Sequence, residues 1–280
     1  MSALGYHMVC RLKNNRVIAT TPLDRLTVTR IVLQRGRPFR LLVFRLVDTH
    51  LHFEVAEPLH RSMELARRIE VAISNTLYAP RQKSGGDLPV PAVGFAPAFP
   101  KEIRDQSHLF NVFDYILRQR DHHGLSWDAR AEASNLPDLL GLRFLGGNTD
   151  EVVQKLLPRV TRRFLIRHLG VDQLEPVEGP LVAPIRSKLH SAVCALASVT
   201  TLLRRTRIVR AAQVAAVNVA GHQLCTQELA DTLEILPRTV QRMRKEQAKA
   251  EVEHALRLQL ALHAAVEDES DGVFSGLTAS

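Results

Sequence analysis

The chain has 280 residues, with 37 Lys and Arg against 29 Asp and Glu, a formal net charge of +8. Hydrophobic residues at 45% and charged residues at 24% exclude a globally disordered or collagen-like chain and leave ample material for a core. The basic excess, mostly Arg, points to polyanionic partners, and the length, at about 150 residues per domain, to two domains.

Tyr6–Leu12 (YHMVCRL) predicts a strand. Pro22-Leu23-Asp24 opens an amphipathic segment to about Gln34, a helix with Leu26, Val28, Ile31 and Leu33 as its apolar set despite their β-branched share. Phe39–Val47 and His50–Val55 predict two strands joined by a two-residue Asp48-Thr49 turn. Arg61–Tyr78 reads as a helix. Residues 79–101 are rich in Pro and Gly, a loop region with a short edge strand at Val93–Phe95. Asp105-Gln106-Ser107 supplies N-cap chemistry for a helix with the stripe Leu109, Val112, Phe113, Ile116 and Leu117, running to about His122 and stopping at Gly124.

This order, β-α-β-β-α-(β)-α, fits an α+β domain built as a ferredoxin-like antiparallel sheet with helices on one face. Beyond Ser126 the strand signals stop. Helices are expected over Thr149–Leu169 (interrupted at Pro158), Arg186–Arg204, Val209–Gly221 and Glu246–Val266. The expected layout is a sheet domain at 1–125, an all-α domain at 126–265 and a disordered tail at 266–280. Aromatics make up only 5%, so Leu, Val, Ile and Ala must fill the core, which suits a large helical share.

Cys10, Cys194 and Cys225 are odd in number and far apart, neither a disulfide framework nor a CxxC metal site, so a reducing cytoplasm is the expected compartment. The N-terminus lacks a signal peptide's apolar core, and no run approaches the ~18 apolar residues of a membrane span, so no membrane is expected as a partner. A GxxxxGK[ST] phosphate loop is absent from the sequence, which gives no support to ATP hydrolysis by that route.

Two pairs of residues carry candidate chemistry. His50 and His52, at i and i+2 on a strand, share one face and can hold a divalent metal between two imidazoles. Tyr115 and Gln119, at i and i+4 on a helix, put a phenol one turn from an amide. Taken singly, each pair is ordinary: polar residues on a solvated sheet face, and a half-buried tyrosine in an amphipathic helix.

Together, the strand-borne His pair and the later YxxxQ resemble the HUH single-tyrosine nucleases, in particular the single-tyrosine insertion-sequence transposases and the REP-associated tyrosine transposases. GYHMVCRLKNNR is similar to that family's opening strand, RPFRLLVFRLVDTHLHFEV to its hairpin ending in the His pair, and FNVFDYILRQRDHHGL to its tyrosine helix. The resemblance covers residues 5–125 and fades towards 170. Gln119 stands where REP-associated members carry Asn-Pro and matches the insertion-sequence branch; Thr49 stands where Asn or Glu often precedes the His pair.

The resemblance implies an enzyme acting on single-stranded or hairpin DNA. Mg²⁺ or Mn²⁺ held by His50, His52 and Gln119 would polarise the scissile phosphate, and Tyr115 would attack it to give a covalent 5′-phosphotyrosine and a free 3′-OH. Rejoining by another 3′-OH needs no ATP. His60, His108, His122 and His123 read as surface residues outside the ligand set. Monomer and homodimer both remain open, and a nucleoid-associated cytoplasmic location is expected.

Residues 223–246 (QLCTQELADTLEILPRTVQRMRKE) resemble a helix-turn-helix: Thr226 as N-cap, Ala230 at the tight packing position, Glu234 in place of the usual turn glycine, and Pro237 opening the second helix. That helix would present Arg238, Thr239, Gln241, Arg242 and Lys245 to DNA, duplex DNA included, with Val240 and Met243 packing inward. Residues 201–250 hold nine cations and four anions, an excess that supplies most of the net +8. Arg162, Arg163 and Arg167 either extend that surface or form a solvated face, and the apolar last helix, with Ala255, Leu256, Leu258, Leu260 and Leu262, either packs on its domain or self-associates. The alternative function is a non-catalytic, sequence-specific DNA-binding regulator on an HUH scaffold. A replication initiator or relaxase shares the chemistry, but the chain carries no helicase motif.

Overall fold

A computed structural model of the chain describes residues 3–79, 94–123, 132–143, 149–182 and 186–274. Its contacts divide the chain into two units: Met1–Leu139 with Leu145–Leu165, and Leu140–Phe144 with Ile166–Ser280.

The first unit is α+β. Its strands are β1 (Gly5–Arg11), β2 (Leu41–Leu46), β3 (His50–Val55) and β4 (Phe99–Ile103), in the spatial order β2-β3-β1-β4 with every neighbour antiparallel. Helix α1 (Pro22–Gly36) joins β1 to β2, and α2 (Leu59–Ile73), continued by a π-helical turn at Ser74–Tyr78, follows β3. The start of α1 is set locally. Thr21 and Asp24 form a capping box, each side chain taking the other's amide at 3.1 and 3.2 Å, and Pro22 occupies the first turn, where its missing N–H costs nothing. The hairpin closes over Asp48 and Thr49 through a bond from the Val47 amide to the His50 carbonyl.

Alternation gives each strand two faces. Met8, Cys10, Phe44, Leu51 and Phe53 point into a core with Val28 and Val32 of α1 and Leu65, Ile69 and Ile73 of α2. The other face is covered too. Helix α3 (Gln106–His122), capped by Asp105 on the His108 amide at 2.8 Å, packs on β2 and β3 and buries Leu109, Val112, Phe113, Ile116 and Leu117. The expectation of helices on one face alone is therefore corrected. Both faces of β2 are buried, which explains why its apolar residues run consecutively from Leu41 to Phe44 rather than alternating, with Arg45 as the one charged residue among them.

The edge strand lies at Phe99–Ile103 and not at Val93–Phe95, whose first residue lies outside the described residues; Phe95 makes only an isolated bridge to Leu12. Pro100 is tolerated there because β4 pairs on one side only. Gly124, expected to stop α3, also lies outside the described residues.

The expected boundary at residue 125 falls inside the first unit. Residues 132–139, including α4 (Leu136–Leu139), dock on the free edge of β2. Asn135 accepts from the Phe44 amide and donates to the Leu42 carbonyl, both at 3.0 Å, while Arg45 and Glu132 form a buried ion pair at 3.0 Å. The stretch expected as Thr149–Leu169 forms α5 (Thr149–Leu156) and α6 (Arg162–Arg167), parting around Pro158 as expected.

The second unit is helical: α7 (Leu189–Ala197), α8 (Arg207–Ala220), α9 (Thr226–Thr232), α10 (Pro237–Met243) and α11 (Ala250–Phe274). Its core joins Leu189, Val193 and Leu196 to Val209, Ala216, Leu229, Leu233, Val240, Met243, Leu256 and Leu260. Helix α7 stops well short of Arg204 because Ser198 takes a left-handed conformation at φ 54°. Ala255, Leu256, Leu258, Leu260 and Leu262 are all buried within the chain. Helix α11 continues to Phe274, and residues 275–280 of the expected tail lie outside the described residues. No described helix is long and apolar enough to cross a membrane.

Candidate active site

The face of the sheet opposite the α1/α2 core carries the candidate chemistry. The register sets Val9 opposite His52, His7 opposite Glu54 and Arg11 opposite His50. His7, His50, His52 and Glu54 therefore share one face. His7 sits diagonally from His52, within reach on a sheet surface. The two rings stack with centroids 5.4 Å apart, and His7 Nε2 lies 3.2 Å from His52 Nδ1. The His50 and His52 rings are 5.8 Å apart.

Helix α3 brings Tyr115 to this group. Its ring stands edge-on to His7 at 5.8 Å and to His52 at 6.2 Å. It is 47% exposed, so the phenol borders solvent where a substrate can reach it. His50, His52 and Tyr115 thus converge. Gln119, one turn further along, is buried, and its Nε2 donates to the Tyr115 carbonyl at 3.5 Å, a long bond within its own helix.

Electrostatics hold the imidazoles neutral. Burial, then repulsion from Lys101 and His108, lowers His7 to about 4. Burial, then His7, His50 and His123, lowers His52 to about 3. His50 is lowered as well, first by burial and then by Arg11 and His123. Glu54 shows the same physics with opposite sign: fully buried, it is pushed well above the usual carboxyl range by desolvation, and neither of its oxygens has a hydrogen-bond partner among the described residues.

Neutral imidazoles can ligate a divalent cation, and suit Mn²⁺ better than Mg²⁺. A neutral imidazole has one lone pair to give, and the partner of its other nitrogen decides which nitrogen gives it. His50 Nδ1 lies 2.8 Å from Thr49 Oγ1, and His52 Nδ1 faces His7. With the proton on each Nδ1, both Nε2 atoms are free to coordinate. Among the described residues no group of three or more His, Cys, Asp and Glu is arranged around a metal position; two imidazoles and an amide are a set of different composition.

Sequence reading missed His7, although the YH of the first strand was visible, because its role depends on a register between strands far apart in sequence. It also missed Glu54, Arg11 and Lys101. His108, half-buried, and His123, exposed, were read as surface residues outside the ligand set, and both are close enough to depress the buried imidazoles.

In the second unit, the helix-turn-helix-like segment forms α9 and α10. The N-cap is Cys225 and not Thr226: Cys225 Sγ accepts from the Glu228 amide, and Glu228 returns the bond to the Cys225 amide at 2.6 Å. Glu234 adopts the left-handed conformation, φ 55°, that a turn glycine would supply. Val240 and Met243 are buried, Arg238, Gln241, Arg242 and Lys245 are exposed, and Thr239 is half-buried. Neither a family model, nor a curated protein, nor a solved structure gives a significant match to this chain.

Proposed function

We propose that the chain is a metal-dependent DNA strand transferase of the HUH single-tyrosine kind, cleaving and rejoining single-stranded or hairpin DNA through Tyr115. The observation that carries this reading is the convergence of the Tyr115 ring, from one helix, on stacked imidazoles from two strands. Supporting it, the order β1-α1-β2-β3-α2-β4 with strands arranged 2-3-1-4 is that of a ferredoxin-like sandwich, the scaffold expected for such a site.

Tyr115 Oη loses its proton and attacks phosphorus, the P–O3′ bond breaks, and the leaving oxygen takes up a proton. The products are a 5′-phosphotyrosine and a 3′-OH, and the number of phosphoester bonds is unchanged, so a second 3′-OH can reverse the step. His50, His52 and Gln119 would hold Mg²⁺ or Mn²⁺, which when bound supplies Lewis-acid polarisation of the phosphate. Arg11 and Lys101, beside the imidazoles on the flanking strands, add positive charge that favours an incoming phosphodiester. His7, whose Nε2 lies 3.2 Å from His52 Nδ1, can accept a hydrogen bond from a proton-bearing Nδ1 and so leave His52 Nε2 to coordinate.

The second reading, a DNA-binding regulator without cleavage, draws on the Gln119 amide being turned onto its own helix. Incubation with Mn²⁺ and 3′-labelled single strands, hairpins included, separates the two readings on denaturing gels. Strand transfer predicts label on the protein, lost in Tyr115→Phe. DNA binding with no adduct in any metal, and no response to Tyr115→Phe, supports the regulator.

A further inference from the structure

The second unit holds a cleft of about 1020 Å³ whose chemistry the strand-transfer reading does not use. One wall is the 202–207 connection and the start of α8, with Arg204, Arg205 and Arg207; the other is α10, with Arg238 and Arg242. Among the described residues none of these five arginines is in an ion pair, whereas Arg210, further in, is paired with Glu246. The acidic groups in the cleft are already occupied. Asp231 accepts from Gln227 at 2.8 Å, and Glu234 accepts from Thr201 Oγ1 at 2.7 Å and from the Leu202 amide at 2.6 Å.

Those Glu234 bonds also build the cleft. They tie the turn between α9 and α10 to the 201–202 connection, and the buried Gln213 repeats the tie by donating to the Leu233 carbonyl at 3.1 Å and the Leu202 carbonyl at 3.5 Å. The two arginine-bearing walls are thus held at a fixed spacing, with Val240 and Met243 anchoring α10 from beneath.

We propose that this cleft grips the sugar-phosphate backbone of duplex DNA, with Arg204, Arg205 and Arg207 on phosphates flanking the groove that α10 enters. Arginine is the side chain for this task, since its planar fork matches phosphate oxygens bidentately. Among the described residues no aromatic side chain lines the cleft, and sequence-tolerant single-strand binding depends on stacking bases against aromatics. The occupant is therefore a duplex, held by contacts that set position while exposed polar residues of α10 meet base edges. The proposal does not rest on the strand-transfer reading.

The test is fluorescence anisotropy of the full-length protein with a short random-sequence duplex, without divalent metal, across a salt series. The slope of log K against log salt counts released counterions, about one per phosphate contact. Replacing Arg204, Arg205 and Arg207 together by Ala lowers the slope by about 3 and weakens all duplexes alike. The triple Lys variant keeps charge and retains the slope; its loss there would assign the effect to altered structure and overturn the proposal. An unchanged slope in the Ala variant, equal or tighter binding of the corresponding single strand, or displacement of the duplex by polyglutamate at equal charge would overturn it as well. Since no metal or Tyr115 chemistry enters the measurement, its failure is distinct from failure of strand transfer.

Discussion

Glu54→Gln isolates the energetic cost of the candidate site. The Glu54 carboxyl is fully buried on the same face as His52 and opposite His7, with no hydrogen-bond partner for either oxygen among the described residues. In the unfolded chain it ionises near 4.5, while in the fold desolvation holds it protonated well above that value. The folded state thus binds the extra proton, and stability falls as pH rises above 4.5 by about 1.4 kcal/mol per unit for as long as the buried carboxyl stays neutral. His7 and His52 act in the opposite sense. Their folded values of about 4 and about 3 lie below the unfolded 6.5, so their contribution is complete above pH 6.5 and is lost as pH falls towards 4. Around pH 5.5, midway in that window, these two imidazoles working against this one carboxyl contribute a net uptake of about one proton on unfolding, a share of the slope of about 1.4 kcal/mol per unit. Gln keeps the shape and polarity of the neutral acid but cannot ionise. The variant is therefore more stable than the parent above pH 4.5, by an amount that grows with pH, and above 6.5 its profile lacks the downward slope that Glu54 gives the parent. Urea unfolding at a series of pH values reads both profiles. Equal stability at neutral pH with parallel profiles would refute the reasoning, because it would mean that Glu54 is ionised in place.

Three other perturbations have defined outcomes. His7→Ala removes the partner that orients His52 and weakens Mn²⁺ binding, followed by electron paramagnetic resonance, by about 10-fold or more, while His52→Ala abolishes it; unchanged affinity in the first variant removes His7 from the site. Asn135→Ala breaks two bonds to the β2 backbone and costs about 2 kcal/mol or more in chemical denaturation; a cost below half of that would show that the 132–139 segment does not seal the sheet edge. Glu234→Gly relieves a left-handed non-glycine residue but loses the bonds to Thr201 and Leu202, so the variant is less stable by thermal melting; a higher melting temperature would show that backbone strain outweighs the stitch.

What could be read from the sequence was what is encoded locally. The bounds of β3 follow from alternation between a turn and a charged loop, α1 from its Thr-Pro-x-Asp start, and α3 from its stripe and Asp105 cap. Helix α1 forms despite Val28, Thr29, Ile31 and Val32 because burial against the sheet outweighs their weak helix propensity. What was missed depends on pairing between distant segments. Strand β4 contains Pro100 and an exposed Phe99, and only its register with β1 makes it a strand. His7 gains its place from the alignment of β1 with β3, and Glu54 is buried only because α3 packs over that face of the sheet. In the second unit, α7 ends at Ser198 with neither Gly nor Pro to announce it, which leaves Arg204, expected as the end of that helix, in the connection before α8 and on the wall of a cleft.

The measurement that bears most directly on the central claim is mass-spectrometric mapping of the covalent DNA adduct. The chain has three tyrosines. Tyr78 is buried and donates to the Ile18 carbonyl, Tyr6 packs against the α1/α2 core, and Tyr115 alone stands beside the imidazoles. After reaction with single-stranded and hairpin DNA in Mn²⁺ and digestion of both polymers, the account predicts a 5′-phosphonucleotide on the Tyr115 peptide, absent from His52→Ala. A nucleotide on Tyr6 or Tyr78, or a Tyr115 adduct that persists in His52→Ala, would contradict it.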